Sequence, residues 1–388
     1  MINQKKTDLK FFEKKIISKE NRFRLNNKEN KEINKLFFNK IVLVVGASGS
    51  IGSKFSLNLI KYKFKKLYFL DKNENDLTSL NRAVIKKVMN RNIKYICTDI
   101  NTFNINNFLS QHKVNIYLNF AAIKHVRSQE NINSIKYMFS TNYENFFQMN
   151  YKSNYLKRIF SISTDKAAKP SSLMGISKLM MEHKLKSIYK KYRNISVSSA
   201  RFANVSFSKG SILEHALESI NKKNFFGIPS NVKRYFITHE EAVSICFQAL
   251  LKKNNNSILI PNQKILGKQI NIKEIVTKIL KIYNYKFIFV KKLKKKINRN
   301  VYNILVSNKK ITGQKSEEIL FSDYEKQFLK SVNPTINKLS LENLKNINLS
   351  NYKQIKKLDK IDKVHNFISK LIKGYSYKKN QVDVSKII

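Results

Sequence analysis

A short all-apolar run, Ile41–Val45, leads directly into Gly46-Ala-Ser-Gly49-Ser-Ile-Gly52 and then into a helical pattern. Few folds accommodate that order. An all-apolar run of this length suits a strand buried on both faces of a parallel sheet. The first glycine allows a tight turn, the second lets backbone N–H groups approach a pyrophosphate at the positive end of the helix, and the third lets helix and strand pack closely. Asp71 closes the next apolar run about twenty residues on, where a carboxylate bonds the adenine ribose hydroxyls of a bound dinucleotide. Gly46, Ser48, Gly49, Ser50, Ile51, Gly52 and Asp71 are therefore the candidate cofactor loop. Asp71 would repel a 2′-phosphate, which favours NAD over NADP, although Lys72 beside it softens the preference.

The alternation continues. Leu67–Leu70, Tyr95–Cys97, Ile116–Phe120, Ile159–Ile162 and Val197–Ala200 read as further strands, separated by segments of helical periodicity such as Lys54–Tyr62. This predicts an α/β fold, a Rossmann-like doubly wound parallel sheet over residues 40–205. After Arg201 the rhythm breaks. Strand-like pieces (Arg234–Thr238, Ile258–Ile260, Lys286–Val290) mix with helices (Glu240–Leu251, Ile272–Tyr283), which suggests a smaller α+β substrate-binding lobe over 206–335. Residues 1–39 read as a helical extension outside the main domain, with Phe11, Phe12, Ile16 and Ile17 as its apolar positions. Residues 336–388 form a basic extension, and their end reads either as a helical appendage or as partly disordered. The run Lys291–Lys296 reads as a solvated loop.

The net charge of +49 invites a nucleic-acid reading, but Lys is spread along all 388 residues together with Asn and Ile. No RNP, zinc-finger or helix-turn-helix signature accompanies it, so no specific nucleic-acid partner is expected. Such a charge would still draw in an anionic substrate or surface. Cys97 and Cys246 lie far apart in apolar patterns and read as reduced core residues. No apolar run reaches the ~18–20 residues of a membrane span, and the first residues lack a signal peptide's apolar centre. The expectation is a cytoplasmic protein. His112, His183, His215, His239 and His365 show no metal-ligand spacing, and no metal is expected.

The segment most informative about chemistry is Ser163-Thr164-Asp165-Lys166, followed by Met174-Gly-Ile-Ser-Lys178. Asp165 and Lys166 fall at the end of the fifth strand, where ligands of open α/β sheets bind. With GASGSIGSKF, LDKNENDL, NFAAIKHVRSQE, RFANVSFSKGS, KRYFIT and a weaker ITGQKSEE, the block STDKAAKPSSLMGISK resembles the nucleotide-sugar 4,6-dehydratases of bacterial polysaccharide biosynthesis, a branch of the extended short-chain dehydrogenases. Members resembling this chain act on UDP-N-acetylglucosamine and commonly assemble as homo-oligomers. The chain departs from many members at Ala203 and Phe207, where glycine is common, at Arg127, and at Ile311-Thr312. The related dehydrogenases place a Tyr four residues before Lys178, and here that position is Met174, which cannot carry a proton.

The resemblance implies an internal redox cycle in which NAD takes a hydride from C4 of the sugar and later returns it to C6. Asp165 would protonate the departing C6 hydroxyl, Lys166 would remove the C5 proton, and Thr164 would bond the C4 hydroxyl. Lys178 would bond the nicotinamide ribose, Asn142 would support the cofactor site, and Ala121 and Ala122 would let backbone lie beside it. Asp99, Ile100 and Lys124 complete the candidate cofactor residues, and His125, Met174, Asn204, Ser211 and Arg234 the candidate substrate residues. Arg234 is the expected phosphate or uridine contact. A Lys base must be largely neutral, so the Lys166 pKa is expected to fall well below ~10.4. A nucleotide-sugar epimerase, or a non-catalytic NAD-binding regulator, are the competing readings.

Overall fold

The computed structural model describes residues 8–88, 92–291, 301–307, 315–349, 351–372 and 374–375. Six parallel strands form the heart of the central sheet: β1 (Ile41–Val45), β2 (Lys66–Asp71), β3 (Ile93–Cys97), β4 (Ile116–Asn119), β5 (Arg158–Ile162) and β6 (Ser196–Ala200). Their spatial order, β3-β2-β1-β4-β5-β6, reverses between β1 and β4. That reversal opens a crevice at the strands' carboxyl ends. The sheet is Rossmann-like, with helices such as Ser50–Leu59 and Leu173–Lys191 packed on it.

The sheet is wider than the sequence suggests. Ser257–Pro261 pairs parallel with β6, so Ile258–Ile260 belongs to the central sheet and not to a second lobe. Its five residues are all buried, as a central strand requires. Ile336–Ser340 then pairs antiparallel with it, and Lys330–Asn333 closes that edge. The helix His239–Ala249 likewise packs into the main core through Ala242, Val243 and Ile245.

The smaller lobe has its own core. Phe226–Pro229, Tyr302–Ser307 and Phe287–Val290 form a parallel three-stranded sheet, packed against helices Ile212–Asn221 and Ile272–Ile282. Phe12 and Ile16 are buried in this same core, so the N-terminal segment is part of the lobe and not an appendage. Glu13 is buried with them, accepting from Ser206 Oγ (2.7 Å) and lying 2.8 Å from His239 Nδ1. At the other end, helix Ile361–Leu371 lays Val364 and Ile368 against Leu173, Ile176 and Met180. The tail is thus a packed helix as far as it is described. Most of Lys291–Lys296, together with Ile311–Gln314, lies outside the described residues.

Cys246 is buried as expected, but Cys97 is exposed. It ends β3, the edge strand, whose side chains are covered far less than those of β1.

Candidate active site

The glycine loop is shaped by contacts that exclude side chains. Gly46 has φ +71°, and a Cβ there would lie 2.4 Å from Ala121 N. A Cβ on Gly52 would lie 2.0 Å from Gly46 O. At Gly49 the nearest atom to such a Cβ is 3.4 Å away, so the protein alone does not demand glycine there. Gly49 is the N-cap of helix Ser50–Leu59, and no side chain caps it, which leaves the first-turn amides for an anion. Ser48 is buried and its Oγ has no hydrogen-bond partner, while its N–H donates to Asp71 Oδ2 (2.9 Å). An orphaned buried hydroxyl, an uncapped helix start and a carboxylate at the end of β2 together fit a dinucleotide. Gly52→Ala is expected to abolish dinucleotide binding, because backbone must move to admit the methyl; titration calorimetry with NAD checks this.

Lys72 turns away from Asp71, donating to the Tyr137 hydroxyl (3.0 Å), and that hydroxyl donates to Asp99 Oδ2. Asp99 also accepts from the Asn101 N–H (2.9 Å), and Ile100 beside it is buried. Ala121 and Ala122 are half-buried at the end of β4, and Asn119 Oδ1 accepts from the Ala121 N–H (3.1 Å).

Asn142 lies in a π-turn, Ser140–Glu144, a local widening of the helix often found at functional sites. It is fully buried and grips Ile123 by both backbone groups, accepting from its N–H (2.8 Å) and donating to its O (2.9 Å). It also donates to Ser177 Oγ (2.9 Å). This ties the β4 loop to helix Leu173–Lys191 immediately before Lys178. Lys178 is buried, donates to Ile162 O (3.0 Å), and is pushed down to about 8 by burial, with Glu182 opposing. Met174, one helical turn earlier, is also buried.

The turn after β5 gathers the candidate acid and base. Thr164 Oγ1 donates to Asp165 Oδ1 (2.8 Å), and Lys166 Nζ lies 3.0 Å from the same oxygen. A Cβ on Gly175 would lie 2.5 Å from Lys166 O. The glycine therefore lets the first turn of the helix press onto the turn, bringing Thr164, Asp165, Lys166, Met174 and Lys178 into one site. Behind it, Ser163 Oγ donates to Glu182 (2.6 Å), which also holds the fully buried Arg201.

The charge state of Lys166 differs from the expected one. Burial favours the neutral amine, but Asp165 and Glu318 outweigh it and raise the pKa above the ordinary lysine value. In this state Lys166 is an ammonium. Glu318, which carries no signal in the sequence beyond the short KSEE run, approaches Lys166 Nζ to 3.5 Å.

Two of the expected substrate residues also make contacts within the protein. Arg234 Nε lies 3.3 Å from Glu318 Oε1, and its other nitrogens donate to the carbonyls of Lys233 (2.8 Å), Ser316 (3.2 Å) and Lys315 (2.9 Å). Asn204 Nδ2 donates to the same Glu318 oxygen. Both side chains thereby hold the 315–318 segment. Ser211 caps helix Ile212–Asn221, accepting from the Glu214 N–H (3.2 Å).

The segment 206–211 crosses toward the glycine loop. The Lys209 N–H donates to Ser50 Oγ (2.8 Å), and Lys209 Nζ pairs with Asp76 (2.6 Å). Lys124 Nζ donates to Ser208 Oγ (3.3 Å), and a Cβ on Gly210 would lie 2.7 Å from His125 Nε2. Phe207 has φ +50°, a conformation costing a non-glycine residue about 1 kcal/mol. This is a position where the resemblance expects glycine, and Phe207 compensates by burying its ring near Phe12 (centroids 6.0 Å). Among the described residues, no His, Cys, Asp or Glu cluster is placed to hold a metal ion. Nor is any helix there long and apolar enough to cross a membrane.

Sheet order and glycine loop define a Rossmann-like α/β fold. Residues 42–338 match the family model described as polysaccharide biosynthesis protein, and the chain belongs to that family. It is 26% identical over 257 residues to the capsular polysaccharide biosynthesis protein CapD of Staphylococcus aureus, a match covering 63% of this chain and 41% of CapD. The chain thus spans only about two fifths of that relative. It is 27% identical over 303 residues to the uncharacterized membrane protein MJ1061 of Methanocaldococcus jannaschii, covering 76% of this chain and 88% of that protein. Identity to the UDP-N-acetylglucosamine 4,6-dehydratase (inverting) of Campylobacter jejuni is 23% over 245 residues, 58% of this chain and 68% of the enzyme. Among solved structures, Pen from Bacillus thuringiensis superposes with TM-score 0.65 at 21% identity, covering 78% of this chain and 88% of Pen.

Proposed function

We propose that the chain is a UDP-N-acetylglucosamine 4,6-dehydratase, eliminating water to give a UDP-4-keto-6-deoxy sugar. The observation that carries this reading is the Asp165–Lys166 pair, at 3.0 Å, at the carboxyl end of β5, with a thioether at position 174. Elimination across C5–C6 needs one acid and one base with separated effective pKa values, and this pair supplies both types. Bound NAD would supply the electron sink, taking the C4 hydrogen and giving it back at C6. Asp71 would hold its adenine ribose, the Gly46–Gly52 loop its pyrophosphate, and Lys178 its nicotinamide ribose.

The proton work then follows from the hydrogen bonds. Thr164 Oγ1 accepts the C4 hydroxyl proton and relays its own to Asp165 Oδ1, to which it is already bonded. Asp165 passes that proton to the departing C6 hydroxyl, which leaves as water. Lys166, as the free amine, takes the C5 proton that the C4 ketone has made acidic, and later delivers a solvent-exchanged proton to C5. Met174 supplies shape without a proton, which argues against a C4 epimerase that relies on a phenol there.

Incubation with UDP-N-acetylglucosamine and NMR of the sugar tests the proposal. A new C6 methyl with loss of water supports it; isomerisation without mass loss supports the epimerase instead. Localisation in the cytoplasm and assembly into homo-oligomers are part of the same proposal.

A further inference from the structure

Glu318 has no role in the mechanism above, yet it is buried against the pair at its centre. Its Oε1 lies 3.5 Å from Lys166 Nζ and 3.3 Å from Arg234 Nε and accepts from Asn204 Nδ2, while Oε2 accepts from the Tyr235 N–H (3.1 Å). The charged groups facing it are Asp165 and Lys166 from the turn after β5, Arg234 from the Lys233–Arg234 strand, and Lys315 from its own segment. Lys166 already has a carboxylate partner at 3.0 Å. A second one holds it as the ammonium, the wrong form for a base, unless that second carboxylate also takes the proton away.

We propose that Glu318 is the proton store of Lys166: once the C4 hydroxyl proton has reached Asp165, the Lys166 ammonium passes one proton to Glu318 Oε1 and becomes the free amine facing C5. The proposal rests on the dehydratase reading. Protonation of Asp165 removes the negative charge that holds the proton on Lys166, and an N–H bond breaks as an O–H bond forms on Glu318. The balance closes over the cycle. Asp165 gives its proton to the water that leaves, Lys166 takes the C5 proton and, after its N–H protons exchange with solvent, returns one to C5, and Glu318 then returns the stored proton to Lys166. The environment suits that task. While Asp165 is ionised, burial and Asp165 push Glu318 up to about 7, against Lys166, Arg234 and the Asn204 hydrogen bond; once Asp165 is neutral, burial still favours the protonated carboxyl. Glu318 acts through Lys166 and does not touch the sugar.

Two measurements test this. In cofactor-free protein labelled with ¹³C at the glutamate carboxyls, one resonance is expected to titrate near 7 and to be missing from E318D and E318Q. In the presence of NAD and UDP-N-acetylglucosamine, E318Q is expected to accumulate reduced nicotinamide absorbance while C5 deuterium exchange falls by about a hundredfold. The near-neutral limb of the pH–rate profile disappears in E318Q and returns in E318D, which keeps a carboxylate. A Glu318 carboxyl that titrates in the ordinary glutamate range overturns the proposal, and this holds even if E318Q does not fold. So does wild-type C5 exchange in E318Q, which would leave the dehydratase reading intact. Isomerisation without loss of water by the wild type overturns the dehydratase reading itself.

Discussion

Lys166→Met is expected to abolish exchange of the sugar C5 proton with solvent and to lower turnover by about a thousandfold, within the range a positioned acid or base contributes. The substitution removes the only nitrogen that the turn after β5 places within 3.0 Å of Asp165 Oδ1. Methionine keeps the length of the side chain and its contact surface, so the turn itself should hold. The glycine loop and Lys178 are untouched, and dinucleotide affinity is expected to stay at the wild-type value. Deuterium content at C5, followed by proton NMR in heavy water, is the readout. Wild-type exchange in the variant would remove Lys166 as the base.

Arg201→Met is expected to cost about 3–5 kcal/mol of folding stability, the scale for breaking a buried ion pair by removing one partner. Arg201 is fully buried and bonds two carboxylates, Glu182 at 2.6 Å and Glu325 at 2.8 Å. Without it, both acids are left buried, Glu182 next to Ser163 and hence next to the turn after β5. The pH dependence has a definite sign. In the wild type, burial raises the Glu325 pKa but Arg201 lowers it further, to a net value below the ordinary 4.5. The stability this contributes is present above 4.5 and is lost as pH falls through the lower folded value. In the variant burial of Glu325 is no longer offset by Arg201, so that carboxyl protonates more readily and the deficit is expected to shrink on acidification. Urea unfolding across pH checks both the size and the trend, and a deficit below about 1 kcal/mol at neutral pH would contradict the account.

How much of this was legible depends on where the partners lie. β1, β2, β4 and β5 are apolar because parallel strands are buried on both faces, and that pattern is readable locally. Ser257–Pro261 is just as apolar, yet it follows a break in the βα rhythm, and nothing local says it returns to β6. Lys330–Asn333 and Ile336–Ser340 alternate or are polar because they finish an edge, so they read as extension. In the site, Asp165 and Lys166 are adjacent in sequence, as are the glycines, and spacing alone brings out both groups. Glu318 is different. Its place is set by Asn204, Arg234 and Lys166, which come from three separate segments, and only the fold joins them. The same holds for Arg234, whose bonds to the Lys315 and Ser316 carbonyls no local pattern announces.

On the proposed reading, one acid–base pair, a buried Asp165 beside a half-buried Lys166, drives elimination while a bound dinucleotide carries the hydride internally. The most direct measurement is NMR of UDP-N-acetylglucosamine turned over by the full chain in heavy water with catalytic NAD. The account predicts one new C6 methyl, a C4 ketone and deuterium at C5, with no consumption of NAD. A C4 epimer with its C6 hydroxyl retained and no deuterium at C5 would contradict it.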